Sequence, residues 1–229
     1  MVTMEKWCTN QQVTNVGVIF CCSNLLVGTP EAVCPPTNFG NKKHNSNAEK
    51  RKNCQWLAGL IDGDGCFLVS KQGYTSLEIT VHAKDEGVLR KVKQSCGGSI
   101  KPRAGGASVR YRLHNTKGMQ SLCTDVNGQI RHPVRYMQFK KVCSVLKLNA
   151  VPRSASPLHS KHGWFRGMFD ADGTVTLKHN KESPQITFSV TQKDKSVPMA
   201  FYNVFGGSLY FDKSQNGYWT WRVQSKANV

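Results

Sequence analysis

The sequence predicts an α+β protein built from two copies of one αββαββ-type repeat. An apolar motif that ends in two carboxylates occurs at residues 57–65 (LAGLIDGDG) and again 108 residues later at 165–173 (FRGMFDADG). After each motif, polar and apolar residues alternate in short segments, as they do in paired strands with one buried face. Each motif also has small residues four positions apart, which lie on one side of a helix. The two motif helices are therefore the predicted central interface.

Matching landmarks follow the two motifs in the same order, which indicates a duplicated unit. The offset between matched positions drifts only from 108 to 110 residues. The matched segments are Lys84-Asp85 with Lys193-Asp194, Gly97-Gly98-Ser99-Ile100 with Gly206-Gly207-Ser208-Leu209, and Tyr111-Arg112-Leu113 with Trp221-Arg222-Val223.

The order of elements within each repeat follows from periodicity and turn residues. A hairpin should follow each motif helix, and a helix and a second hairpin should follow in turn. In the first repeat the predicted segments are strands 66–70, 77–82, 99–103 and 108–114 and helices 85–95, 117–126 and 134–148; in the second they begin with strands 174–178 and 185–191. The last residue, Val229, matches Met119, so the second repeat has no counterpart of residues 120–150.

Four segments are predicted along the chain. Residues 1–50 contain three prolines and a polar stretch, and they are interpreted as an irregular N-terminal extension, either a disordered tail or a targeting or upstream-fused segment. Residues 51–150 form the first repeat, 151–163 a linker, and 164–229 a second repeat that lacks the C-terminal helices.

The charge of the chain points to a nucleic-acid partner. Of the net charge of +17, residues 51–229 carry +16, with 27 Lys and Arg against 11 Asp and Glu. A basic excess located with the repeats is typical of nucleic-acid binders, although a solvated basic surface or a general basic bias of an organellar protein would also produce it.

The nine cysteines show no Cys-x-x-Cys spacing, which argues against a zinc site or a disulfide framework and favours a reducing compartment. No run of 18 apolar residues predicts a membrane span.

The acidic motif ends suggest metal-assisted chemistry on a phosphodiester backbone. Gly59 and Gly63 share one face of the first helix, and Gly167 and Ala171 repeat the spacing in the second, so close packing would bring the C-terminal acids together. Carboxylate oxygens suit Mg²⁺, and divalent ions can stabilise both the attacking and the leaving oxygen of an in-line displacement. A calcium loop is the alternative for Asp-Gly-Asp-Gly, but no third acid or closing Glu follows at the required spacing.

The first motif resembles the LAGLIDADG signature of homing endonucleases and differs from it at one position. The resemblance covers residues 54–229, and the two motifs are similar to those of single-chain family members. It implies two pseudo-symmetric repeats packed through their LAGLIDADG helices, with antiparallel sheets forming a DNA-binding saddle. It also implies a monomeric, intron-encoded, site-specific enzyme of mitochondrion or chloroplast that cleaves double-stranded DNA with Mg²⁺ or Mn²⁺. The alternatives are a maturase that binds intron RNA and a DNA-binding relic without nuclease activity.

The resemblance also assigns roles to residues in the motifs and near them. The metal-binding carboxylates would be Asp64 and Asp172, with the carbonyls of Gly63 and Ala171 as neighbouring ligands and with Asp62 and Asp170 capping the turn. Gln192 would order water on the strand that leaves the first hairpin of the second repeat, where the first repeat has Ala83. The basic residue that stabilises the transition state would be Arg135, with Lys84 as the alternative.

DNA reading is expected from the hairpins, because a two-stranded ribbon fits the major groove. The predicted readers share polar side chains that alternate with apolar ones. In the first repeat they are Ser70, Lys71, Gln72, Tyr74, Thr75, Glu78, Thr80, His82, Lys101, Arg103, Arg110 and Arg112, and in the second Lys178, His179, Asn180, Gln185, Tyr210, Asp212, Lys213, Gln215 and Arg222. Any one of them could contact phosphate or solvent instead of a base.

Overall fold

The computed structural model describes residues 45–152, 158–178, 185–214 and 217–226, and these form two repeats of one plan. The first repeat consists of α1 (Asn45–Asp64), β1 (Gly65–Val69), β2 (Thr75–His82), α2 (Glu86–Cys96), β3 (Ser99–Pro102), β4 (Ser108–Leu113), α3 (Thr116–Val126) and α4 (Pro133–Val145). The second consists of α5 (Gly163–Asp172), β5 (Gly173–Lys178), β6 (Gln185–Gln192), α6 (Ser196–Phe205), β7 (Ser208–Asp212) and β8 (Tyr218–Lys226). This confirms the predicted α+β class with two repeats.

Each repeat contains a four-stranded antiparallel sheet. The strand orders, β1-β2-β4-β3 and β5-β6-β8-β7, are the same when the strands of each repeat are counted from its motif helix. Strand β2 shows how the sequence specifies the two faces, because Leu77, Ile79 and Val81 are buried while the residues between them are partly exposed. Successive side chains of a strand point to opposite faces, so one face packs on the helices and the other meets solvent.

Helices cover the inner face of the first sheet more completely than that of the second. Met119 and Phe139, from α3 and α4, are fully buried in the core. The second sheet packs against Phe201 of α6, whose ring lies 5.0 Å from that of Trp221. At other inner positions of this sheet the described residues leave large side chains exposed, including Leu177 at 54%.

The predicted boundaries hold within one to three residues for most elements, with one correction near the start. Residues 45–50 were assigned to the irregular extension, but they form the first turns of α1, which is 20 residues long. The remainder of that extension, residues 1–44, and residues 153–157 of the linker lie outside the described residues. No helix in the described part of the chain is long and apolar enough to cross a membrane.

Candidate active site at the junction of the motif helices

The motif helices α1 and α5 touch backbone to backbone, as their small residues predicted. A Cβ atom at Gly59 would lie 2.8 Å from the amide nitrogen of Met168 and closer still to the carbonyl oxygen of Trp164. A Cβ at Gly167 would lie 2.7 Å from the amide nitrogen of Leu60 and closer still to the carbonyl of Trp56. Because the obstructing atoms belong to rigid helix backbone, a side chain at either glycine would push the helices apart.

Two reciprocal hydrogen bonds fix the register of these helices. The indole nitrogen of Trp164 donates to Asp62 Oδ2 at 2.7 Å, and that of Trp56 donates to Asp170 Oδ2 at 2.8 Å. Asp62 also accepts the backbone N–H of Arg131 at 2.8 Å, which joins α1 to the segment before α4. The expectation that Asp62 and Asp170 cap their own turns was therefore wrong, since both bridge the repeats. The repeated Trp-x₅-Asp spacing was the sequence signal for this pairing.

The last residues of α1 and α5 are the two acids predicted to hold metal, Asp64 and Asp172. The absence of a side chain at Gly63 makes room for them, since a Cβ there would be 2.6 Å from Asp172 Oδ2. Burial and the charge of Asp172 raise the pKa of Asp64 well above its usual value. Burial also raises the pKa of Asp172 to about 6, although Gln192 and Arg135 act in the opposite direction. The two carboxylates thus form one interacting pair.

Two further predicted residues meet this pair from different repeats. Gln192 Nε2 donates to Asp172 Oδ2 at 2.6 Å. Arg135, on α4, donates from Nη2 to the carbonyl oxygen of Gly63 at 3.2 Å, and its charge lowers the pKa of both Asp64 and Asp172. The alternative cation, Lys84, is exposed at a 3₁₀ turn.

The sheet register corrects the counterpart that was assigned to Gln192. Gln192 pairs with Trp219, and Val81 pairs with Val109 at the equivalent place in the first repeat. The structural counterpart is therefore the buried Val81 and not Ala83. The second repeat therefore has the amide of Gln192 beside Asp172. The first repeat has the apolar Val81 at the equivalent position, and Arg135 lies on its helix α4.

The outer faces of the two sheets carry most of the predicted DNA-reading residues. Glu78, Thr80, His82, Lys101, Arg110 and Arg112 share one face of the first sheet by register, and Ser70, Lys71, Gln72 and Tyr74 are exposed at its β1–β2 turn. Arg103 is exposed just after β3. Thr75 is a correction, because its position in β2 places it on the core face and it is only 6% exposed.

In the second repeat, Lys178, Gln185, Tyr210, Asp212 and Arg222 lie on the corresponding outer face, and Lys213 is exposed after β7. His179, Asn180 and Gln215 were also predicted as readers, and they lie outside the described residues.

Comparison with known proteins agrees with this arrangement. The family model described as LAGLIDADG endonuclease matches residues 57–146. A relative from Saccharomyces cerevisiae, "Intron-encoded RNA maturase bI4", is 41% identical over 95% of this chain. The chain belongs to the LAGLIDADG family. Another relative, "Intron-encoded DNA endonuclease ai2a" of Dictyostelium discoideum, is 38% identical over 65% of the chain. The match to this chain spans 38% of the length of the first relative and 47% of the length of the second.

Solved structures show the same LAGLIDADG fold. The meganuclease I-AabMI, solved bound to uncleaved DNA, superposes with a TM-score of 0.53 over 76% of this chain and 79% of that one, at 20% identity. A double mutant of I-SmaMI superposes with a TM-score of 0.56 over the same shares, at 19% identity.

The donor atoms at the helix ends fit a hard divalent cation. The last carbonyls of a helix have no partner within it, and the negative end of the helix dipole attracts cations. Two such ends meet here and bring the carboxylates of Asp64 and Asp172, together with the backbone of Gly63 and Ala171. Across the described residues no group of three or more His, Cys, Asp or Glu side chains gathers, so a bound ion would rely on these oxygens, water and phosphate.

The raised pKa of Asp172 predicts that the acidic pair weakens folding when no metal is bound. Its folded pKa of about 6 lies above the usual 3.8, so the folded state loses stability as pH rises through 6. We expect Asp172→Asn to be more stable than the wild type in EDTA at pH 8, with the difference vanishing below about pH 4. Urea unfolding at both pH values measures this.

Asp125→Asn is the matched control, because Asp125 is a partly exposed acid away from the pair that forms an ion pair with the exposed Lys50 at 3.7 Å. An Asp172→Asn protein that is less stable than the wild type at pH 8 would contradict the cost of burying the ionised Asp172 carboxylate.

Proposed function

We propose that the protein is a site-specific endonuclease that cleaves both strands of double-stranded DNA by metal-dependent phosphodiester hydrolysis. The observation that carries the proposal is the meeting of Asp64 and Asp172 at the ends of two packed helices, between two sheets with polar outer faces. The pseudo-symmetry of the repeats supplies one carboxylate for each strand of a duplex, which is itself close to two-fold symmetric. Both half-sites are present in one chain, so we propose that it acts as a monomer.

The residues of the site would divide the chemistry between them. Asp64 and Asp172 would hold Mg²⁺ or Mn²⁺, and the bound cation would supply Lewis acidity and a more acidic water. Arg135 would stabilise negative charge that develops on the reacting phosphate. Gln192 would fix the orientation of the Asp172 carboxylate and of water beside it.

The relatives suggest a setting for this activity. Relatives of this chain are named as intron-encoded proteins. We therefore propose that the protein is encoded by an organellar intron and that its substrate is a DNA site related to its own locus.

A second candidate is maturase activity, in which the protein binds intron RNA and assists splicing. The observation that favours it is the name of the yeast relative, an RNA maturase that aligns with 95% of this chain. The nuclease remains the first proposal, and what supports it is the proximity of two carboxylates, Asp64 and Asp172, with Gln192 donating to Asp172 and Arg135 donating to the carbonyl of Gly63.

The direct test is cleavage of a randomised duplex library in Mg²⁺, followed by sequencing of the ends. The proposal predicts cuts at one asymmetric site on both strands and no cuts in EDTA. Absence of cleavage at every site, together with tighter binding to a structured intron RNA than to any duplex, would replace the nuclease with the maturase.

The basic charge of the repeats predicts strongly salt-dependent binding to duplex DNA. Each phosphate that is neutralised contributes a slope of about −0.9 to a plot of log K against log salt concentration. We expect a steep slope for the selected site, measured by fluorescence anisotropy between about 50 and 200 mM salt. A nearly flat plot would contradict binding through phosphate contacts.

A further inference from the structure

The outer faces of the two sheets can be compared position by position through their strand registers. Arg112 pairs with Glu78 and with Ser99 in the first sheet. Arg222 pairs with Ser189 and with Ser208 in the second. The two arginines are therefore structural counterparts, and Ser189 occupies the place of Glu78. By the same registers, Thr220 and Tyr210 occupy the places of Arg110 and Lys101.

In the first repeat, one carboxylate holds two arginines from the neighbouring strand. Glu78 Oε1 accepts from Arg112 Nη2 at 2.6 Å, and Glu78 Oε2 accepts from Arg110 Nη1 at 3.2 Å. The side chain of Glu78 is 14% exposed, whereas those of Arg110 and Arg112 are 40% and 50% exposed. The acid thus lies beneath the guanidinium groups, and it is the arginines that a ligand on this face would meet.

The second repeat has no such arrangement at the matching positions. Arg222 lies over the ring of Tyr210, with its guanidinium carbon 5.6 Å from the ring centroid. The hydroxyls of Thr220 and Thr191 are 3.0 Å apart. The faces therefore differ in kind, since the first presents two arginines oriented by an acid and the second presents one arginine on an aromatic ring.

An acid in the middle of a DNA-facing surface has to be explained, because it reduces attraction to phosphate. Glu78 offsets this reduced attraction if it holds the arginine side chains in one orientation before DNA binds. A long side chain that becomes ordered only on binding loses conformational entropy at that step, which lowers affinity. Arginine reads guanine through paired bonds to O6 and N7, and this needs a defined orientation of the guanidinium plane. A guanidinium has five N–H donors, so one bond to Glu78 leaves most of them for a base.

We propose that Glu78 is a positioning residue that sets Arg110 and Arg112 for guanine recognition in the half of the target under the first repeat. The second repeat has Ser189 in the place of Glu78. We therefore expect guanine to be required in the half of the target under the first repeat and not in the other half. The proposal rests on the proposed DNA-binding function. Both arginines meet at one carboxylate, so the guanines that they read belong to the same or neighbouring base pairs.

The test is selection of bound sequences from a randomised duplex library in Ca²⁺ without Mg²⁺, with wild-type protein and three variants. Glu78→Gln keeps the size of the side chain and removes its charge, so it should bind duplexes at least as well while losing about tenfold or more of the guanine preference in one half-site. Arg112→Lys keeps the positive charge but not the planar fork, and it should lose preference at the same base pairs.

Glu86→Gln is the matched control, because Glu86 makes the same type of ion pair with Arg90, at 3.0 Å, on helix α2. It should select the wild-type sequences. Unchanged selection by Glu78→Gln, or loss of preference that is equal in both half-sites, would overturn the positioning role while leaving DNA binding intact. Wild-type protein that selects no duplex would overturn the proposed function and this inference together.

Discussion

Gly59→Ala should destabilise the protein by roughly 1–3 kcal/mol or more, although it adds a single methyl group. The new Cβ would meet the backbone of Trp164 and Met168, and neither helix can yield there without losing contact along the whole interface. Overpacking against a side chain can be relieved by a rotamer change, but overpacking against a carbonyl and an amide cannot. Urea unfolding in the absence of DNA measures the change in the free energy of unfolding.

Gly87→Ala is the control, because it separates the effect of a new contact between helices from the effect of the higher helix propensity of alanine. Gly87 lies in helix α2, and a Cβ there would find nothing within 4 Å. Alanine is favoured over glycine in a helix by roughly 1 kcal/mol, so this variant should be as stable as the wild type or more stable. If both variants changed stability in the same direction, close packing at Gly59 would not be the cause.

Close helix packing was predictable because it leaves a local pattern in the sequence. Gly59 and Gly63 lie on one helical face by spacing alone, and Gly167 and Ala171 repeat that spacing, so the interface and the meeting of the two acids followed directly. The outward positions of Arg110 and Arg112 followed in the same way from the period of two in strands.

Features that depend on pairing between distant segments were harder to predict. The Trp164–Asp62 bond joins residues 102 positions apart, and its only local trace was a Trp-x₅-Asp spacing present in both motifs. Ala83 was chosen as the counterpart of Gln192 by sequence offset, but the strand register selects Val81, because the two repeats differ in length after this strand. Thr75 shows the same limit, since polarity suggested an outward side chain and the pairing of β2 placed it inward.

Replacement of either acid at the helix ends is the change expected to have the largest effect on activity. We expect Asp64→Asn and Asp172→Asn each to lose at least about 100-fold in the rate of double-strand cleavage, since each removes an anionic carboxylate that we propose as a ligand of the divalent ion. Affinity for the selected duplex should stay within a few-fold of the wild type, because neither acid lies on the outer sheet faces. Cleavage of a plasmid that carries the target, with affinity measured separately, tests both statements.

Gln192→Ala distinguishes the half-sites because the side-chain amide of Gln192 donates to the carboxylate of Asp172. Removing a side chain that orients a metal ligand costs about 10–100-fold. If each acid serves one strand, this variant should slow hydrolysis of one strand only, and nicked plasmid should accumulate before linear plasmid appears. Val81→Ala, at the equivalent place in the first repeat, removes no hydrogen bond, so it should not produce a comparable excess of nicked plasmid. Equal slowing of both strands by Gln192→Ala would show that the two acids act as one shared centre and not as one for each strand.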